Sequence, residues 1–124
     1  SRAVIQNMMM RQRVLVEEVP SPTFTIVQSY DLLCPPVYHL DLYRLSNSDD
    51  IIELSLEDTL ETSIYLIEWP DKMGSFLPKR NLSFTFNQMS FESSNRSVSV
   101  VLNGEGWQHI SNAFTGSKML KIKI

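Results

Sequence analysis

The 124-residue chain has one cysteine, four glycines and a net charge of only −3. The lone Cys34 has no second cysteine to pair with in the chain, which suits a reducing compartment such as the cytoplasm. No apolar run approaches the roughly 18 residues that a membrane-spanning helix needs. No basic stretch leads into an apolar run at the start, so no signal peptide is expected. The composition, 43% hydrophobic and 20% charged, lacks the low hydrophobicity and high net charge of disordered chains. There is no internal repeat, low-complexity tract or continuous basic stripe of the kind that grips a phosphate backbone unaided. These absences point to a single domain over residues 1–124, cytoplasmic and not membrane-bound.

The charge that is present is unevenly spread. Residues 41–68 hold Asp41, Asp49, Asp50, Glu53, Glu57, Asp58, Glu61 and Glu68 against Arg44 alone, a local charge of −7. Residues 69–124 carry +4. The acidic middle suits a solvated helix face. Lys118, Lys121 and Lys123 interleave with Leu120, Ile122 and Ile124, the pattern of an amphipathic strand's solvent face.

Hydrophobic spacing predicts alternating elements. Val4, Ile5, Met8 and Met9 recur at helical spacing and predict a helix from Ser1 to about Arg13, with Met8 to Met10 as adaptable core filling. Pro20 and Pro22 break it. Thr23-Phe24-Thr25-Ile26-Val27 is β-branched and aromatic and predicts a strand. Residues 37–44 predict a second strand, with Val37, His39, Asp41 and Tyr43 on one face. Ser46 to Asp50 can cap a short helical region carrying Ile51, Ile52, Leu56 and Leu60, broken near Ser55. The apolar run Ile64 to Ile67 predicts a strand covered on both faces. Beyond a loop at residues 71–80 the period becomes two, over Leu82 to Phe86 and Val98 to Leu102, with a turn at Asn103-Gly104. A short helix over Trp107 to Phe114 and a strand over Lys118 to Ile124 complete the pattern, α/β in front and antiparallel behind.

Acidic residues at strand ends carry the chemistry. Glu68 follows a buried strand, and ligands of open α/β sheets bind beyond such ends. There a carboxylate can orient water or hold magnesium through water. Asp41 lies between Leu40 and Leu42 and must find a partner or water, and Arg44 is a candidate, either as that partner or as a phosphate ligand. His39 shares the face of Asp41 but has no third ligand at a diagnostic spacing, so it reads as a structural residue. Trp69 either covers a bound base or caps the core. Cys34 has no assigned base nearby and reads as a semi-buried thiol.

Three ordered motifs, Val19-Pro20-Ser21-Pro22-Thr23-Phe24-Thr25, Val37-Tyr38-His39-Leu40-Asp41-Leu42-Tyr43-Arg44-Leu45 and Leu66-Ile67-Glu68-Trp69-Pro70, resemble the TsaE family. Leu77-Pro78 and Leu82 fit the segment that follows, and the likeness runs to about Phe86. The resemblance implies a P-loop NTPase-like sheet flanked by helices, with added antiparallel strands in the C-terminal half. It implies an ATPase, binding ATP or ADP with Mg2+, that acts with TsaD and TsaB-like proteins in making threonylcarbamoyladenosine on tRNA, the tRNA being met only through the complex. It places Ser21, Thr23 and Phe24 in a switch beside the nucleotide. Asp41 falls near magnesium and phosphates, Glu68 in a Walker-B-like role, and Trp69 at the site.

The sequence departs from that pattern at one point. A P-loop needs Gly-x-x-x-x-Gly-Lys followed by Ser or Thr, and Gly74, Gly104, Gly106 and Gly116 begin no such motif. The expectation is therefore a truncated ATPase domain, lacking a first strand and P-loop of about forty residues ahead of Ser1 (a length set by the resemblance), and inactive alone. The alternative is a non-catalytic interaction module that keeps the family surface.

Overall fold

The computed structural model describes residues 1–88, 96–110 and 120–123. The chain divides into two compact units, Ser1–Leu77 and Pro78–Ile124.

The first unit is a three-stranded sheet in the order β1-β2-β3, formed by β1 (Val27–Tyr30), β2 (Val37–Asp41) and β3 (Ile64–Glu68). β1 and β2 are antiparallel, and β2 and β3 parallel. Helix α1 (Arg2–Arg11) buries Ile5 and Met9 against Tyr30, Leu33 and Val37, with Met8, Ile64 and Leu66 packed alongside. Met10 is exposed, so the methionine run fills the core with Met9 and in part Met8 only. The helical period turns the third side chain to solvent. A second apolar cluster joins Leu40, Leu42, Leu45, Ile51, Leu56 and Met73, with Tyr38, Tyr65 and Ile67 packed against it. Alternation along β2 and β3 divides these strands between the two clusters. The rings of Tyr38 and Tyr65 stack at 5.1 Å and 10°.

The crossover between β2 and β3 carries α2 (Asp50–Glu53) and a 3-10 turn at Glu57–Thr59. Ser55, at φ 49°, interrupts the helical region where the sequence suggested a break. Every residue of β3 is of intermediate exposure, so the strand is half-buried and not covered on both faces as its apolar run predicted. Among the described residues it lies at the edge of this sheet, which leaves it with fewer neighbours. Pro70–Phe76 forms 3-10 structure with a kink at Gly74 in place of a plain loop.

Two strand boundaries differ from expectation. Residues 23–26 form a turn, and the strand begins only at Val27. The Ile26 N–H donates to the Pro22 carbonyl at 2.6 Å, and Ile26 takes φ 67°. Side-chain bonds from this turn, described below, outweigh its β-propensity. β2 likewise stops at Asp41: the Leu45 N–H turns back to the Leu42 carbonyl at 3.0 Å.

Cys34 is exposed, not semi-buried. Its main chain is clasped by one side chain: its N–H donates to Gln12 Oε1 at 2.8 Å, and its carbonyl accepts from Gln12 Nε2 at 3.1 Å.

The second unit is a sheet in the order β4-β5-β6, with β4 (Asn81–Gln88), β5 (Arg96–Asn103) and β6 (Leu120–Lys123). β4 and β5 are antiparallel over eight pairs, but β6 runs parallel to β5, so this portion is mixed and not purely antiparallel. Gly104, at φ 80°, follows β5 as the Asn-Gly signal predicted. A Cβ there would lie 3.1 Å from the Arg80 Cα. Arg80 lies over the Trp107 ring at 4.0 Å, and its Nε donates to the Glu105 carbonyl at 3.0 Å. Residues 108–110 are helical. The rest of the helix expected to Phe114, and the Gly116-Ser117-Lys118 stretch, lie outside the described residues, as do the side chains of the final lysines. No helix among the described residues is long and apolar enough to cross a membrane.

Candidate functional site

The parallel register sets Asp41 directly opposite Glu68, at the C-terminal ends of β2 and β3. Both carboxylates therefore share one strand face, with Val37, His39, Ile64 and Leu66 behind them. The Leu42 N–H extends the ladder to the Glu68 carbonyl at 3.2 Å. Paired acids at adjacent parallel strand ends are where an open α/β sheet presents ligand-binding groups.

Asp41 is 5% exposed and both its oxygens are engaged. The Thr23 hydroxyl donates to Oδ2 at 2.7 Å, and the Tyr43 N–H donates to Oδ1 at 3.2 Å. The second bond spans two residues, the pattern by which an aspartate folds its own backbone into a turn, and it accounts for the end of β2. The Ser21 hydroxyl lies 2.9 Å from that of Thr23, so Ser21, Thr23 and Asp41 form one chain of oxygens. The Asp41 N–H bonds the Ile26 carbonyl at 2.9 Å, which ties the turn to β2 a second time. A β-branched residue in the left-handed region is a strained choice, of order 1–3 kcal/mol, and such strain gathers at functional sites.

Glu68 meets a different partner. Its Oε1 lies 2.8 Å from His39 Nε2. His39 is wholly buried, Glu68 is 40% exposed, and Oε2 of Glu68 has no hydrogen-bond partner among the described residues. The residue after Glu68 is also strained: Trp69 takes φ 59° and ψ 51° before Pro70 starts the next turn.

The rim is aromatic and exposed. Trp69 is 54% exposed, with its ring 5.2 Å from that of Tyr43 and tilted by 51°. Trp69 is thus at the surface and not a cap on the core. Phe24 is 84% exposed, and Arg44 lies over its ring at 5.2 Å. Asp41 is accordingly partnered by Thr23 and the Tyr43 backbone, while Arg44 is engaged with Phe24.

Ser21, Thr23 and Asp41 thus meet through side chains, Asp41 and Glu68 through register, and Phe24, Arg44 and Trp69 border them. The pairing of His39 with Glu68 and the contacts of Tyr43 were not read from the sequence. A period of two from His39 to Asp41, combined with a parallel register, would have brought His39 within reach of Glu68.

The donor set is hydroxyl and carboxylate oxygen, which fits a hard divalent cation such as magnesium. No group of three or more His, Cys, Asp or Glu among the described residues could hold a metal by itself. Two carboxylates alone suit magnesium, which commonly takes its remaining ligands from water and substrate phosphates.

The family model described as threonylcarbamoyl adenosine biosynthesis protein TsaE matches residues 1–98. The tRNA threonylcarbamoyladenosine biosynthesis protein TsaE of Rickettsia bellii is 43% identical over 58 residues, 47% of this chain and 40% of that protein. Its namesake in Haemophilus influenzae is 38% identical over 65 residues, 52% of this chain and 41% of that protein. The one in Treponema pallidum is 29% identical over 85 residues, 68% of this chain and 61% of that protein. The match spans only about two fifths of the first two relatives' length.

Proposed function

The chain belongs to the TsaE family of threonylcarbamoyl adenosine biosynthesis proteins, and from that premise we propose that it is the ATP-binding and ATP-hydrolysing part of that tRNA-modifying machinery. One observation carries the reading: Asp41 and Glu68 stand opposite each other at parallel strand ends, beside the Ser21–Thr23 hydroxyl chain. In a P-loop ATPase, acids at such ends serve the metal and the attacking water.

Asp41 and Glu68 would hold magnesium through water. The metal would supply neutralisation of phosphate charge as the bond to the leaving group breaks. Glu68 would orient a water toward the terminal phosphorus. A new P–O bond forms, the P–O bond to the ADP oxygen breaks, and phosphate and a proton leave. The segment from Ser21 to Phe24 would report on the site through the Thr23–Asp41 bond, since a ligand that draws Asp41 away would release it. Trp69 and Phe24 are both exposed and would border the nucleotide. TsaD and TsaB-like proteins would be the partners, and tRNA would be met only through them.

The sequence has no Gly-x-x-x-x-Gly-Lys to cradle phosphates, so the 124-residue chain alone is expected to show no ATPase activity. The deciding experiment is ATP and ADP binding with magnesium on the gene's complete product, followed by hydrolysis in Glu68→Ala. Hydrolysis should fall more than nucleotide binding, because the proposed role lies in the reacting state. Equal losses in both would reject that role for Glu68. Failure to bind either nucleotide selects the non-catalytic interaction module instead.

A further inference from the structure

His39 occupies a position where an apolar residue would pack at less cost. It is wholly buried, on the face that carries Val37, Ile64 and Leu66. Only one ring nitrogen is satisfied: Nε2 meets Glu68 Oε1 at 2.8 Å, while Nδ1 is buried with no hydrogen-bond partner among the described residues. A carboxylate only accepts, so this bond requires the hydrogen on Nε2. Placing it on Nδ1 would strand a donor in the interior and set the Nε2 lone pair against the carboxylate. The surroundings therefore select one tautomer, and in it the ring has one donor with one target.

We infer that His39 is a positioning residue that fixes the Glu68 carboxylate from its buried place on the same face of the sheet. The inference rests on the role proposed for Glu68. A glutamate at a strand end has several rotatable bonds and, at 40% exposure, room to turn. The clasp on Oε1 removes that freedom and leaves Oε2 as the oxygen without a partner among the described residues. Asp41 is fixed differently, by Thr23 from the turn and by the Tyr43 backbone. Each acid thus has its own anchor, and neither anchor depends on the other. Fixing a reacting group before the reaction lowers the barrier, and residues that act through a ligand in this way change rate by about 10- to 100-fold when removed.

The test uses the gene's complete product. His39→Leu should lower turnover about 10- to 100-fold while ATP affinity stays unchanged. His39→Gln, whose longer amide can still donate to Glu68, should recover most of the loss, and His39→Asn, whose shorter amide cannot reach, should not. If His39→Leu does not fold, the Gln and Asn variants carry the comparison, and equal turnover in the two overturns the inference. Undiminished turnover in His39→Leu, with hydrolysis abolished in Glu68→Ala, also overturns it and leaves the reading of Glu68 standing. If Glu68→Ala itself turns over normally, that reading of the site fails. The imidazole 15N spectrum then decides about His39 alone. Hydrogen on Nε2, with its signal displaced in Glu68→Gln, upholds the clasp, and hydrogen on Nδ1 overturns it.

Discussion

Thr23→Val tests whether the turn at residues 23–26 is held by the Thr23 hydroxyl or by its apolar neighbours. The substitution keeps the branched shape and removes the donor to Asp41 Oδ2 at 2.7 Å. Asp41 is 5% exposed, so water does not readily replace the lost donor. A hydrogen bond to a charged group contributes about 1.5–3 kcal/mol. Oδ1 keeps the Tyr43 N–H, which places the expected loss toward the lower half of that range. A loss of about 1.5–2 kcal/mol is a 10- to 30-fold change in the unfolding equilibrium. With a urea slope of about 1–2 kcal/mol per molar for a small unit, the midpoint should fall by roughly 1–2 M. Fluorescence of Trp69, in a Trp107→Phe background so that one indole reports on residues 1–77, follows the transition. Thr23→Ser keeps the hydroxyl and should stay within about 0.5 kcal/mol of the parent. An unchanged midpoint in Thr23→Val, or an equal loss in Thr23→Ser, refutes the assignment of the turn to this bond.

Three further outcomes are expected. Burial raises the Tyr65 pKa above its ordinary value of 10.0, and the nearby Tyr38 adds to the rise while the Thr59 hydrogen bond opposes it. Above pH 10 the unfolded chain loses that proton first, so the stability Tyr65 contributes is full below pH 10 and is lost as pH rises through the folded value. Urea midpoints taken across pH 9–12 should fall, and the fall should be shallower in Tyr65→Phe. Leu40→Ala empties a wholly buried position between β1 and β3 and should cost about 2–5 kcal/mol in urea unfolding. Gly104→Ala adds a Cβ 3.1 Å from the Arg80 backbone at φ 80°, and should destabilise residues 78–124 by more than 1 kcal/mol, read as faster amide exchange in β4 and β5.

The motifs and the strands they end were legible because their signals are local. Ile64 to Ile67 is a continuous apolar run, and β2 alternates faces from Val37 to Asp41 as its period predicted. What stayed hidden depends on partners distant in sequence. Thr23 to Ile26 has every mark of a strand, yet a hydroxyl finding Asp41 eighteen residues away turns it into a loop. His39 looks structural along the chain and acquires its role only when β3 lies parallel to β2. Arg44 pairs with a ring, not with the acid three residues before it, because Asp41 is already satisfied. The direction of β6 depends equally on a partner strand that its own residues do not reveal.

The parallel ladder between β2 and β3 makes the spacing of Asp41 and Glu68 a property of main-chain geometry. Of the twenty-two residues that connect the two strands, 42–63, Leu42 and Tyr43 bond Glu68 and Asp41 through their N–H groups, and the rest enter that spacing only by returning the chain to the same register. Lineages can therefore lengthen or shorten that connection beyond Tyr43, and rewrite its acidic surface, without moving either carboxylate. Deletion of Tyr38 from β2 has no such tolerance, since it would turn His39 and Asp41 together to the opposite side. Evolutionary latitude and constraint thus lie next to each other in this chain, and the boundary between them falls just after Tyr43.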